Sequence, residues 1–98
     1  MSKIFDAADH AVATIDEEGH VYTMEGHAIG RVGEDEHVYN TNGNIVGSFD
    51  GRGQVYHEGR LIGTVRGNRV FDAHDHYVGK VEGPHGETGG AALLVLVR

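Results

Sequence analysis

The 98-residue chain has room for one domain, and its sixteen glycines against a single proline describe many tight turns rather than a disordered tract, because 39% of the residues are apolar and spread along its length. There is no cysteine, so neither a disulfide nor a thiolate metal site can staple the fold. Fifteen acids against eight bases give a net charge of -7, which repels phosphate backbones and anionic headgroups and argues against a nucleic-acid partner.

In chain order, Met1 to Asp6 contains no apolar stretch long enough for a signal peptide, so a cytoplasmic protein is expected. Ile4-Phe5 with Val12-Ala13-Thr14-Ile15 is the first and weakest copy of a motif. It recurs as Val21-Tyr22 with Ile29-Gly30-Arg31-Val32, Val38-Tyr39 with Val46-Gly47-Ser48-Phe49, Val55-Tyr56 with Ile62-Gly63-Thr64-Val65, and Val70-Phe71 with Val78-Gly79-Lys80-Val81. The motif starts at 4, 21, 38, 55 and 70, three steps of 17 residues and one of 15. A fixed short period is the mark of one supersecondary unit duplicated, each copy completing its neighbour's core. The units span residues 3–16, 20–33, 37–50, 54–66 and 69–82.

Each unit reads as a β-hairpin. Asn42-Gly43 between apolar runs predicts a two-residue type I′ turn, with Glu25-Gly26, His74-Asp75 and Ala8-Asp9 at the equivalent centres. The shorter fourth unit is expected to turn through the three residues Glu58-Gly59-Arg60, keeping Tyr56 opposite Ile62. This register sets Val21, Val38, Val55 and Val70 opposite Gly30, Gly47, Gly63 and Gly79, with Ile4 opposite Ala13. Alternation places these pairs on one face and the aromatic/aliphatic pairs, such as Tyr22 with Ile29, on the other.

Five hairpins give about ten short antiparallel strands, and closing them into a shallow pseudo-symmetric barrel removes both exposed edges. If the Val/Gly face lines the axis, the lumen needs a filler. Ala91 to Val97 has no polar face and is expected to be that central plug, reached through a flexible segment from Gly83 to Gly90. Its alanines and leucines favour a helix and its valines a strand, with helix slightly ahead. Seven apolar residues fall short of the roughly 20 that a membrane-spanning helix needs, so no transmembrane segment is expected.

The pattern of Val-Tyr, turn and Ile-Gly-x-Val around a ring with an apolar C-terminal segment resembles the β-flower family of small bacterial and phage proteins over residues 4–97. It is also distantly similar to Tubby-like and phospholipid scramblase-like barrels, in which hairpins surround a buried hydrophobic segment. The β-flower resemblance implies a fold and no particular activity. The Tubby-like resemblance implies phosphoinositide binding through basic surface residues, whereas the polar surface here is acidic and histidine-rich.

Eight histidines are the compositional hint of chemistry. His20 and His37 share one repeat position, and His10, His27 and His76 share another; His57 and His85 fit neither set. Equivalent positions on adjacent hairpins lie two strands apart, roughly 9.5 Å at about 4.8 Å per strand. Such positions cannot share an ion whose ligand nitrogens must sit at about 2.0 Å. Asp72-Ala73-His74-Asp75-His76 has a metal-site composition, but His74 and Asp75 are needed for the turn. The acid runs Asp16-Glu17-Glu18 and Glu34-Asp35-Glu36 lack the ligand alternation of a calcium loop. Ser48 is not singled out from Arg31, Thr64 and Lys80 at the same repeat position, and Gly51-Arg52-Gly53 is too short for a phosphate loop.

No catalytic residue, cofactor site or metal site is therefore assigned. The chain is read as a non-enzymatic binding or structural module acting through self-association or a protein partner, by way of an outer belt of Phe5, Tyr22, Tyr39, Tyr56 and Phe71 with their aliphatic partners. The alternative is a barrel that takes an apolar ligand or lipid when the plug is displaced; a histidine-mediated metal-binding protein is a third, minor reading.

Overall fold

The computed structural model describes residues 1–98. Five hairpins follow one another: β1 (Ser2–Asp6) with β2 (Ala11–Ile15), β3 (His20–Thr23) with β4 (Ala28–Val32), β5 (His37–Tyr39) with β6 (Ile45–Phe49), β7 (Gln54–His57) with β8 (Arg60–Arg66), and β9 (Arg69–Asp72) with β10 (Tyr77–Glu82). Every strand is antiparallel to its chain neighbours. Pairing of β1 with β10 closes the barrel, so no strand is left with an unpaired edge. The result is a flat ring of 31 × 29 × 20 Å. Turns within hairpins form one rim and turns between hairpins the other.

The inward level is the expected one. Val21 faces Gly30, Val38 faces Gly47, Val55 faces Gly63, Val70 faces Gly79 and Ile4 faces Ala13. Ile4 and the four valines are fully buried and belong to a single core cluster.

One residue further along, the register departs from the sequence reading. A β-bulge in every hairpin sets Phe5 opposite Ala11, Tyr22 opposite Ala28, Tyr39 opposite Ile45, Tyr56 opposite Leu61 and Phe71 opposite Tyr77. The extra residue, Val12, Ile29, Val46, Ile62 or Val78, turns back and packs on the core. The aliphatic half of each expected outer pair is therefore partly buried against the core, and its sequence neighbour replaces it outside.

The turns explain the bulge. Around Asn42-Gly43, the Gly43 N–H donates to the Asn40 carbonyl and the Asn40 N–H to the Asn44 carbonyl, and Gly43 alone takes positive φ, at 82°. That is a three-residue loop, a type I turn closed by a left-handed residue, in place of the expected type I′ turn. The fourth unit is reversed as well. His57 pairs with Arg60 across two residues, Glu58 and Gly59, both at positive φ as a type I′ turn requires. Three of the connections between hairpins repeat the three-residue loop, with Gly19, Glu36 and Gly53 in the left-handed position. The carbonyls of these three residues accept the N–H groups of Val32, Phe49 and Val65, fastening each turn to the following hairpin.

The lumen is filled from the rim of the inter-hairpin turns by α1 (Gly86–Ala92), which runs directly into a single π-helical turn, Leu93–Val97. The plug is thus helical, and the helix begins five residues before the expected apolar run. Gly89 belongs to it because a β-carbon there would stand 2.9 Å from a Val81 methyl. Gly90 likewise leaves room for the Val65 methyls.

Successive residues of the wide turn then address successive units. Leu93 lies against Gly79, Leu94 against Gly63, Val95 against Gly47 and Leu96 against Gly30. An α-helix rotates by about 100° per residue, too far to place neighbouring residues in neighbouring grooves of a five-part ring. Hydrogen bonding from i to i+5, as from the Arg98 N–H to the Leu93 carbonyl at 3.1 Å, takes more residues per turn and brings the step closer to the spacing of the ring. No helix is long and apolar enough to cross a membrane.

Candidate functional site

The histidines come first, since the sequence offers them as the chemical candidates. Five of them close the three-residue loops. The backbone N–H of His10 donates to Asp6, that of His20 to Asp16, that of His27 to the Thr23 hydroxyl and that of His76 to Asp72; the N–H of His37 donates to Asp35. The two repeat positions seen in the sequence are one local position on opposite rims. The signal was present as Asp-x-x-x-His, written three times. In each such loop the first carboxylate also accepts the N–H of the third residue, an Asx turn that stabilises the bend locally.

This geometry sets the charge state of the acids. The backbone N–H of His10 holds Asp6 below the usual carboxylate range, and that of His76 does the same for Asp72. At Asp16, desolvation is the largest single influence and pulls upward, but the N–H groups of His20 and Glu18 outweigh it. The imidazole Nδ1 atoms lie 3.5–3.6 Å from the second carboxylate oxygen in all three pairs. Asp35 is lowered chiefly by the Tyr39 hydroxyl that donates to it, and the Tyr39 phenol is raised by the same bond.

Convergence of ligands is limited. Asp16, Glu18 and His20 bring ligand atoms within 4.8 Å of one another on a turn where Glu18 is exposed. Sequence reasoning assigned these residues to an acid run and a histidine set without joining them. The His74 and His76 rings are 6.3 Å apart, with His74 donating its own N–H to Asp72 as part of the turn. His57 points Nδ1 at the Val46 carbonyl, 2.6 Å away. His85 sits at the entry to the helix, where its N–H donates to the Ser2 hydroxyl, which lies 2.9 Å from its Nδ1. Ser2 is fully buried, so this serine–histidine pair ties the seam of the barrel to the plug and offers no nucleophile to solvent. Ser48 lies in β6 opposite Tyr56.

The outer wall is the remaining candidate. Its five aromatic rings are half-buried, three of them beneath cations: Arg31 lies 4.2 Å from the Tyr39 ring centre, Arg66 4.8 Å from Phe71 and Lys80 5.4 Å from Phe5. The Lys80 contact crosses the seam between the last unit and the first, reinforced by Asp9 at 3.5 Å. Opposite the rings, units one and two carry Ala11 and Ala28, whereas units three to five carry Ile45, Leu61 and Tyr77, which are 57%, 39% and 40% exposed. The apolar belt expected all round is therefore concentrated on one arc. An apolar opening of about 490 Å³ lies at the rim of the hairpin turns, where Ile62, Leu94 and Val95 meet His57 and Arg98.

The family model described as "5-fold beta-flower protein" matches residues 1–95, and the chain belongs to this family. No curated protein and no solved structure matches it.

Proposed function

We propose that this β-flower chain is a non-enzymatic interaction module that binds protein through the outer wall of its third, fourth and fifth units. The observation that carries this reading is the break in symmetry at one repeat position: Ile45, Leu61 and Tyr77 stand exposed where the first two units have alanine. Fold closure does not need those side chains, since units with alanine close equally well. Exposed apolar side chains at one level of three successive units are the kind of surface that marks a docking site. The plug fills the lumen, which favours a surface function over an internal ligand pocket.

Light scattering coupled to size-exclusion chromatography tests the reading. The wild-type chain is expected to associate as its concentration rises, and Leu61→Ser with Tyr77→Ser to return it to the single-chain mass with an unchanged fold. A wild-type protein that stays monomeric at high concentration would count against it.

A further inference from the structure

On the wall where the fifth unit meets the first, a cleft of about 430 Å³ is lined by Phe71, Tyr77, Arg69, Lys80, Ala7 and Asp9. The Phe71 and Tyr77 rings meet edge-on at 6.0 Å and form its apolar side. Lys80 is already engaged by Asp9 at 3.5 Å and Glu82 at 3.2 Å, while Arg69 is exposed and takes part in no ion pair. An occupant that satisfies this cleft carries an apolar side chain for the rings and a carboxylate for Arg69.

The chain itself presents such a group. Its exposed large apolar residues are Met1, Met24, Ile45, Leu61 and Tyr77, and of the four beyond the first residue only Met24 stands on a turn. Glu25 follows it at the tip of the loop from Thr23 to His27. A thioether packs well on aromatic edges, and a turn tip presents both side chains without rearranging the barrel.

The distribution of charge points the same way. Residues 1–50 hold ten acids and two bases, whereas the rest of the wall, residues 51–82, holds four acids and five bases. Because units follow one another around the ring, this divides the molecule into an acidic arc, which includes the Met24 turn, and a weakly basic arc, which includes Arg69.

Building on the proposed wall function, we infer that its partner is a second copy of the chain, joined head to tail with the Met24-Glu25 turn of one ring seated in the Phe71–Tyr77–Arg69 cleft of the next. Such a contact is heterologous: a pair joined this way keeps a free cleft on one ring and a free turn on the other, so association continues beyond the dimer unless the rings close on themselves. Each copy is negative overall, and salt screens the repulsion between whole rings together with the attraction between arcs. Charge reversal is therefore the discriminating variable.

Arg69→Glu and Glu25→Arg are each expected to reduce the wild-type assembly to single chains. Mixing the two should restore assembly with the variants alternating, because the intact turn of the first fits the intact cleft of the second and the two reversed charges are opposite in sign where they meet at the other contact. Met24→Ser should weaken association at least tenfold without altering the circular dichroism spectrum. If the wild type associates and is dispersed by Leu61→Ser with Tyr77→Ser, yet both charge variants associate normally or their mixture stays monomeric, the head-to-tail arrangement is wrong while the wall function stands. A monomeric wild type sinks the head-to-tail arrangement and counts against the wall function.

Discussion

Leu94 occupies the space that a side chain on Gly63 would need: a β-carbon built on that glycine would stand 2.7 Å from the leucine Cδ1, closer than packed carbons approach. The same relation joins Val95 to Gly47, at 2.8 Å, and Leu93 to Gly79, at 2.6 Å. The glycines of the repeat are thus complementary to the plug, and neither feature is intelligible alone.

The first prediction tests that complementarity. Gly47→Ala is expected to cost about 1–3 kcal/mol through overpacking. Gly79→Ala should cost more, because its new methyl would press far closer on the Phe5 carbonyl than a methyl on Gly47, at 3.0 Å, would on the Tyr56 carbonyl. Combining Gly47→Ala with Val95→Ala should be less destabilising than the sum of the two single changes. Urea denaturation of the four proteins gives the coupling energy, and simple additivity would mean that the two residues do not share the space.

Plug truncations should follow burial. Leu93 and Leu94 are 1% and 6% exposed, whereas Leu96 is only partly buried. Leu93→Ala and Leu94→Ala are each expected to lose on the order of 2–5 kcal/mol, with Leu96→Ala losing less. A chain ending after Gly90 should lack a cooperative melting transition, as read by near-ultraviolet circular dichroism. Cooperative melting of that chain near the wild-type temperature would reduce the helix to an appendage.

The repeat period, the Val/Gly register and the need for a filler were legible because they depend on alternation, which Val21, Gly30 and Val32 display directly. The bulge was not. A sequence shows that Ile29 is apolar, but whether it faces in or out depends on one residue of loop length, and Asn42-Gly43 suits a type I′ turn as well as it suits the loop that forms. The histidines misled for a related reason. His20 and His10 belong to different positions of the 17-residue repeat, and their common role emerges only when both rims are seen to use the same loop closed by Asp16 or Asp6. Nor could composition reveal that the valines of the plug would be absorbed into a wide helical turn, since Val95 and Val97 favour strand locally and the five-part wall overrides them.

Acid should weaken the fold through the loop carboxylates. Asp6, Asp16 and Asp72 have lowered pKa values in the folded state, so each contributes stability that is fully present above its unfolded-state pKa and is lost as pH falls through the lower folded value. The melting temperature is thus expected to fall below about pH 4. Asp16→Asn keeps an acceptor for the turn but removes the titration, and should flatten part of that fall. An acid limb identical in wild type and in the triple asparagine variant would refute the assignment.

Zinc is expected to leave the melting temperature unchanged. Asp16, Glu18 and His20 are close enough to meet one ion, but Glu18 is exposed and the Asp16 carboxylate already accepts two backbone N–H groups. Specific binding to the folded state would raise stability in a saturable way. Calorimetric scans over a zinc titration, with His20→Ala as the comparison, decide the point: a saturable rise abolished by that substitution would establish a site.

The loop type itself can be tested at Thr41. In the observed turn Thr41 and Asn42 are the two central residues and Gly43 is the left-handed closer, so Thr41 occupies the position of a type I turn that proline favours. Its N–H makes no hydrogen bond, whereas the Asn42 N–H donates to the Asn40 side chain at 3.0 Å. Thr41→Pro should therefore be neutral or stabilise by about 0.4–1 kcal/mol through the unfolded state, and Asn42→Pro should destabilise. In a two-residue type I′ turn centred on Asn42-Gly43, Thr41 would instead be the residue that precedes the turn and pairs across it. Thermal melts of the two proline variants separate the alternatives, because a clear loss of stability in Thr41→Pro is incompatible with the three-residue loop.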